Sequence, residues 1–138
     1  MTNGFANSLW LFTQSVEFLI LAFPVTLVLI AHLIAAYSLS RSESKFESDY
    51  LMWAPFLWPF AILSIGGFFS HSGSVLDAPP LPIWAAAICF LATSVHSLVI
   101  LVKRPTNRWV AGAVGLLAIW YGVCCWFVAG MALTNDWM

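Results

Sequence analysis

Charge is what this sequence has least of: five Lys and Arg and six Asp and Glu in 138 residues, against 62% hydrophobic residues. So small a polar stock cannot cover the surface of a soluble globule, which excludes a water-soluble compact domain. Five basic residues are also too few to build the cationic face that phosphate backbones require, so nucleic acid is excluded as a partner. Cys89, Cys124 and Cys125 all fall inside apolar helical segments, an arrangement that argues against a structural disulfide. Cys124 and Cys125 are adjacent and point about 100° apart on a helix, so they cannot aim at one target. All three read as small polarizable packing residues. The chain has no P-loop, dinucleotide fingerprint, GxSxG elbow or zinc-protease motif, and no internal repeat or low-complexity tract. It has no His-x-x-x-His or Glu-x-x-His pair to suggest a metal centre.

What the chain does have is apolar length. A straight helix needs about 20 residues to cross a bilayer. Four stretches approach or exceed that between polar or proline-rich breaks: Leu9–Ser38, Tyr50–Phe69, Leu81–Val102 and Trp109–Leu133. The expected fold is an all-α integral membrane protein, a single domain built as an antiparallel bundle of four transmembrane helices. The first stretch is long enough to tilt, to kink at Pro24 or to begin as an interfacial segment. It lacks a basic leading region and a compelling cleavage site, and its apolar part is too long for a signal peptide, so it is expected in the mature protein.

Orientation comes from the cations. Arg41 and Lys45 lie in connection 39–49, and Lys103, Arg104 and Arg108 in or beside connection 103–108. All five therefore share one face, which the positive-inside rule makes cytoplasmic. Both termini and connection 70–80 are then expected outside, and the multi-pass chain is expected in a bacterial cytoplasmic membrane. Aromatic anchors agree: Trp10, Trp84 and Trp137 at outer ends, Tyr37, Tyr50, Trp53 and Trp109 at inner ends. The mixed-charge SRSESKFESD stretch reads as a solvated hairpin connection. DAPPLP is incompatible with a continuing helix, and Pro82 is expected to start the third one.

Within the spans, a few residues invite chemistry. Gly112, Gly115, Gly122 and Gly130, with alanines between them, predict close packing of the fourth helix, because packing and a few polar contacts must drive association in lipid. Pro55 and Pro59 release carbonyls in the second span, predicting a helix that is bent and tightly packed or lines a polar cavity. His32 and His96 lie in the first and third spans at similar distances from the cytoplasmic cations, roughly 10 to 14 Å. On the third helix, Cys89, Thr93 and His96 form one polar stripe. Two inward imidazoles at one depth are candidate axial ligands of a b-type haem, with propionates toward Arg41, Lys45, Arg104 or Arg108 and Gly115 giving the macrocycle room. The plainer expectation is that each histidine is a neutral polar contact to Ser94, Ser97, Thr93, Thr26 or a carbonyl, worth only about 1 kcal/mol.

Glu17 is the one acid deep within a predicted span, which makes it a candidate for proton coupling. Thr13, Gln14 and Ser15 beside it equally suit a wet helix end. By spacing, Glu17 and His32 are expected on one bundle-facing side. His71, in FFSHSGS, is expected at the outer interface, facing water, Glu17 or Asp77. One acid in the first of four short spans resembles the small multidrug transporters in topology. The one-sided cations, the longer chain and the two histidines depart from that family's pattern, so no residue role is carried over.

Three functional classes follow. The first is a non-catalytic accessory or structural subunit that packs against other membrane-protein subunits or itself, favoured by very short extramembrane segments. The second is a haem-binding, quinone-linked electron-transfer subunit using His32 and His96. The third is a small proton-coupled transporter or channel using Glu17. The first is the expectation taken forward.

Overall fold

The computed structural model describes residues 4–42, 50–69, 80–103 and 108–134. Every element among them is helical: α1 (Gly4–Leu21), α2 (Phe23–Ser42), a 3₁₀ helix (Tyr50–Phe56) continued by α3 (Leu57–Phe68), α4 (Pro80–Lys103) and α5 (Arg108–Thr134). Two of them, α4 and α5, are long and apolar enough to cross a membrane singly, and α1 with α2 would make a third crossing if the bent pair is one span.

The last two predicted spans correspond closely to α4 and α5. Pro80 and Pro82 both sit in the first turn of α4, where backbone N–H groups have no intrahelical acceptor and a proline costs nothing. The helix therefore starts two residues before Pro82.

The first predicted span is not one helix. α1 and α2 meet at Ala22 with a bend of 86°. Pro24 has no N–H, so the carbonyl one turn earlier loses its donor and the ladder breaks there. Nearby groups repair the break: Ala22 N–H donates to the Phe18 carbonyl at 2.9 Å, and the Thr26 hydroxyl reaches the Leu19 and Ala22 carbonyls at 3.1 and 3.2 Å.

The second predicted span is also two-part. Pro55 lies inside the 3₁₀ segment, and both Pro55 and Pro59 are fully buried. Of the two readings their spacing allowed, the tightly packed one holds. At about 2.0 Å per 3₁₀ residue and 1.5 Å per α residue, the composite reaches about 32 Å, against about 30 Å of hydrocarbon.

α5 is the axis of the bundle, packed on α1, α2, α3, α4 and the 3₁₀ segment. Its buried positions are mostly small: Ala111, Ala113, Gly115, Ala118, Gly122, Ala129 and Ala132. Lipid chains are as apolar as side chains, so close backbone approach and the dispersion it brings hold such a helix. A Cβ added at Gly115 would stand 3.1 Å from Ser97 Cβ, and one at Gly122 3.4 Å from the Phe90 ring.

The closest approaches lie at α3, whose paired glycines meet α5 and α1. A Cβ at Gly66 would meet Ala129 Cβ at 2.8 Å, and one at Gly67 would strike Ser8, its backbone nitrogen at 2.5 Å. α1 passes over these glycines obliquely. Ser8 lies at Gly67, Leu11 at Gly66, the Phe12 ring stacks on Phe60 at 5.9 Å, and Phe18 meets Phe127 at 5.1 Å. Large apolar side chains cover the outside, among them Leu81, Trp84, Ile88, Leu91 and Val102 on α4. Such a surface fits lipid and not water.

Candidate functional site

The polar chemistry of the bundle falls into an interior set that is closed and an exterior set that is open. In the interior, Ser15 is wholly buried where α1 crosses α5. Its hydroxyl donates to the Phe12 carbonyl at 2.7 Å and lies 3.3 Å from the Tyr121 hydroxyl. Serine has one proton, so Tyr121 is the donor of the second bond. Cys125 packs beside Tyr121 in the same buried cluster. Phe56 and Phe60 close over Tyr121 at 6.2 and 6.1 Å. Both hydroxyls of this cluster have partners among the described residues, which makes it a packing lock.

The other interior hydroxyls are satisfied locally. Thr93 donates to the Cys89 carbonyl at 3.0 Å and Ser97 to the Thr93 carbonyl at 2.8 Å. Of the polar stripe expected on the third helix, Thr93 is therefore turned back on its own backbone. Across α2 and α5, Trp120 donates to Thr26 at 3.1 Å.

Glu17 and His32 are not bundle-facing. Both are exposed on the outside of their helices. The bend at Ala22 removes the common helical frame from which their alignment was counted. Glu17 accepts a bond from Gln14 Nε2 at 3.1 Å. Its neighbours in chain fix its level: Ser15 lies at Tyr121 and Phe18 at Phe127, roughly 20 to 28 Å along α5 from Arg108. That is the outer edge of the hydrocarbon layer if Arg108 marks the inner one.

His96, on α4, accepts the indole N–H of Trp58 on Nδ1 at 3.1 Å. Its partner is thus an aromatic donor on α3, not one of the hydroxyls the sequence suggested. With Nδ1 accepting, a neutral imidazole carries its proton on Nε2. His32 makes no hydrogen bond, ion pair or ring contact within the described residues.

The structure does not bring His32 and His96 together. α2 packs through Leu33 and Ala36 against Val110, Ala113 and Val114 of α5. α4 packs against Gly112, Gly115 and Gly122. At about 100° per residue these are nearly opposite faces of one helix, so α5 stands between the two histidines. A haem held by both within one chain does not fit this placement. The Trp58 bond also leaves His96 Nε2 a donor, without the lone pair that iron needs. Among the described residues no cluster of three or more His, Cys, Asp and Glu could hold a metal.

An apolar groove of about 370 Å³ opens between the start of α4 and the end of α5, lined by Ile83, Ala86, Trp126, Gly130, Met131 and Thr134 among others. Thr134 spends its proton on the Gly130 carbonyl at 2.9 Å, so the groove offers shape without directed polar groups. His71, Asp77, Lys45, Arg104 and Trp137 lie outside the described residues. Ser15, expected at a wet helix end, is buried instead, and Trp58, Trp120, Tyr121, Gly66 and Gly67 carried no expectation. The adjacent glycines of SIGGF were the one local signal available, as a site of close helix approach.

No protein-family model, curated protein or solved structure matches this chain.

Proposed function

We propose that this chain is a multi-pass membrane subunit with no catalytic activity of its own, which works by packing against other membrane-protein subunits or against copies of itself. The observation that carries this reading is the inversion of polarity across the bundle. Among the described residues the buried hydroxyls are satisfied, whereas His32 faces outward from an apolar helix at mid-depth and Glu17 faces outward near the outer edge. A polar group turned toward hydrocarbon is costly unless a neighbour supplies a partner. Among the described residues the interior is built from Ala, Gly and closed hydroxyl bonds, which disfavours a transport role for Glu17. The connections between the helices are very short, which favours a packing role over a reaction housed between them.

In this reading the chain crosses four times, with α1–α2 as one broken crossing and the 3₁₀ segment, α3, α4 and α5 supplying the rest. Both termini lie outside and the cations face the cytoplasm. The 32 Å reach of the 3₁₀–α3 composite, about the thickness of the hydrocarbon layer, supports counting it as a crossing.

Two measurements test the proposal. Cysteines introduced by Ser44→Cys and Thr106→Cys, in a background without native cysteines, are expected to label from the same side of the membrane; labelling from opposite sides overturns the topology. Native mass spectrometry after mild extraction is expected to find the chain in a stoichiometric assembly. A lone monomer in every lipid-preserving detergent overturns the function.

A further inference from the structure

His32 and His96 belong to one depth but to opposite sides of the molecule, and α5 serves as the ruler. Position 115 of α5 faces Ser97, which places the adjacent His96 at that level. On the other side, Thr26 meets Trp120 and Ala36 packs among Val110, Ala113 and Val114. His32 lies between Thr26 and Ala36 and therefore also falls near Gly115. Both imidazoles sit about 10 Å along α5 from Arg108, well inside a hydrocarbon layer bounded there.

At that depth lipid ester and headgroup oxygens are out of reach, so lipid cannot satisfy a polar ring. The two rings nevertheless have complementary needs. His96 has its Nδ1 occupied by Trp58, which leaves an Nε2–H donor. His32 has no partner among the described residues and, as a neutral imidazole, offers one acceptor nitrogen.

We infer that the occupant of the face carrying exposed His32, and of the face carrying half-buried His96, is a second copy of this chain, with His96 Nε2–H of one copy donating to His32 of the next. The inference rests on the assembly reading above and names the partner. The contact joins two different faces, so it is heterologous: repeated about an axis normal to the membrane it forms a ring where the rotation closes and an open row where it does not. Shared depth is what makes it available, since parallel copies in one membrane keep corresponding levels aligned. A His32–His32 contact would satisfy one ring and leave the His96 donor facing hydrocarbon.

The test uses the full chain in membranes with its native cysteines replaced. Two differently tagged copies are co-expressed, one carrying His32→Cys and the other His96→Cys, and oxidised with copper phenanthroline. A mixed-tag cross-link that needs both cysteines is expected. A His32→Cys cross-link to itself, a cross-link to another protein, or none at all overturns the inference.

A second measurement keeps the reading decisive if the cysteine variants fold poorly. In detergent-solubilised protein, His32→Ala and His96→Ala are each expected to weaken self-association about three- to tenfold, the range of one interhelical hydrogen bond. The double variant should be no weaker than either single one. Additive losses count against a shared bond. A stable assembly with other subunits but no self-contact would sink this inference and leave the proposed function standing; a solitary monomer would sink both.

Discussion

Trp120 holds Thr26 across 3.1 Å, and that single bond ties the break between α1 and α2 to the central helix. The Thr26 hydroxyl also serves the Leu19 and Ala22 carbonyls, so one side chain repairs the backbone that Pro24 disrupts and accepts the anchor that fixes where the repair sits. Trp120→Phe keeps the ring and deletes only the donor. It is expected to lower unfolding stability in detergent by about 0.5–1.5 kcal/mol. Thr26→Val should cost more, because it also removes the hydroxyl donor to the Leu19 carbonyl, and thermal unfolding of the two variants checks the order.

The Ser15–Tyr121 bond should respond asymmetrically. Tyr121→Phe leaves Ser15 bonded to the Phe12 carbonyl and removes the only group that needed it. Ser15→Ala strands a buried phenol. The serine variant is expected to lose about 1–3 kcal/mol and the tyrosine variant about 1 or less. Equal losses would mean that Tyr121 has another acceptor.

Glycines of the bundle should divide into two groups. Gly66→Ala drives a methyl against Ala129, and Gly67→Ala drives one into the α1 backbone at Ser8. Each is expected to cost about 1–3 kcal/mol or to displace α1. A Cβ at Gly130 meets nothing within 4 Å, so Gly130→Ala should be neutral or slightly stabilising. Melting temperatures of the three variants, measured side by side, decide it.

Haem binding has a direct optical check. With α5 between the histidines and Nδ1 of His96 engaged by Trp58, protein expressed with ample haem and purified as a monomer is expected to show no Soret band. A bis-histidine spectrum abolished by His32→Ala and by His96→Ala would reverse that expectation.

Much of the architecture was legible in the residue order because it depends on local composition. The helical character of the apolar runs and the placement of α4 and α5 follow from how many consecutive residues can lie in hydrocarbon. The composite nature of the second span was foreshadowed by Pro55 and Pro59. The common depth of His32 and His96 was a count of residues along helices, and the packing registers on α5 agree with it.

Which way each side chain points was another matter. A helix that is apolar all round carries no amphipathic stripe, so hydrophobicity cannot separate the face that meets protein from the face that meets lipid. Counting placed Glu17 and His32 inward on one continuous helix; the missing Pro24 donor broke that frame and both turned out to be exposed. Similarly, Trp58 reaches His96 from a different helix, a contact that no spacing along either helix encodes. Sequence alone determined that this chain is helical and suited to lipid, because those properties are sums over neighbouring residues. Only the tertiary structure decided which polar groups are closed inside and which are left open outside, because that depends on shape: where glycine lets one backbone touch another, and where a proline makes a helix turn away.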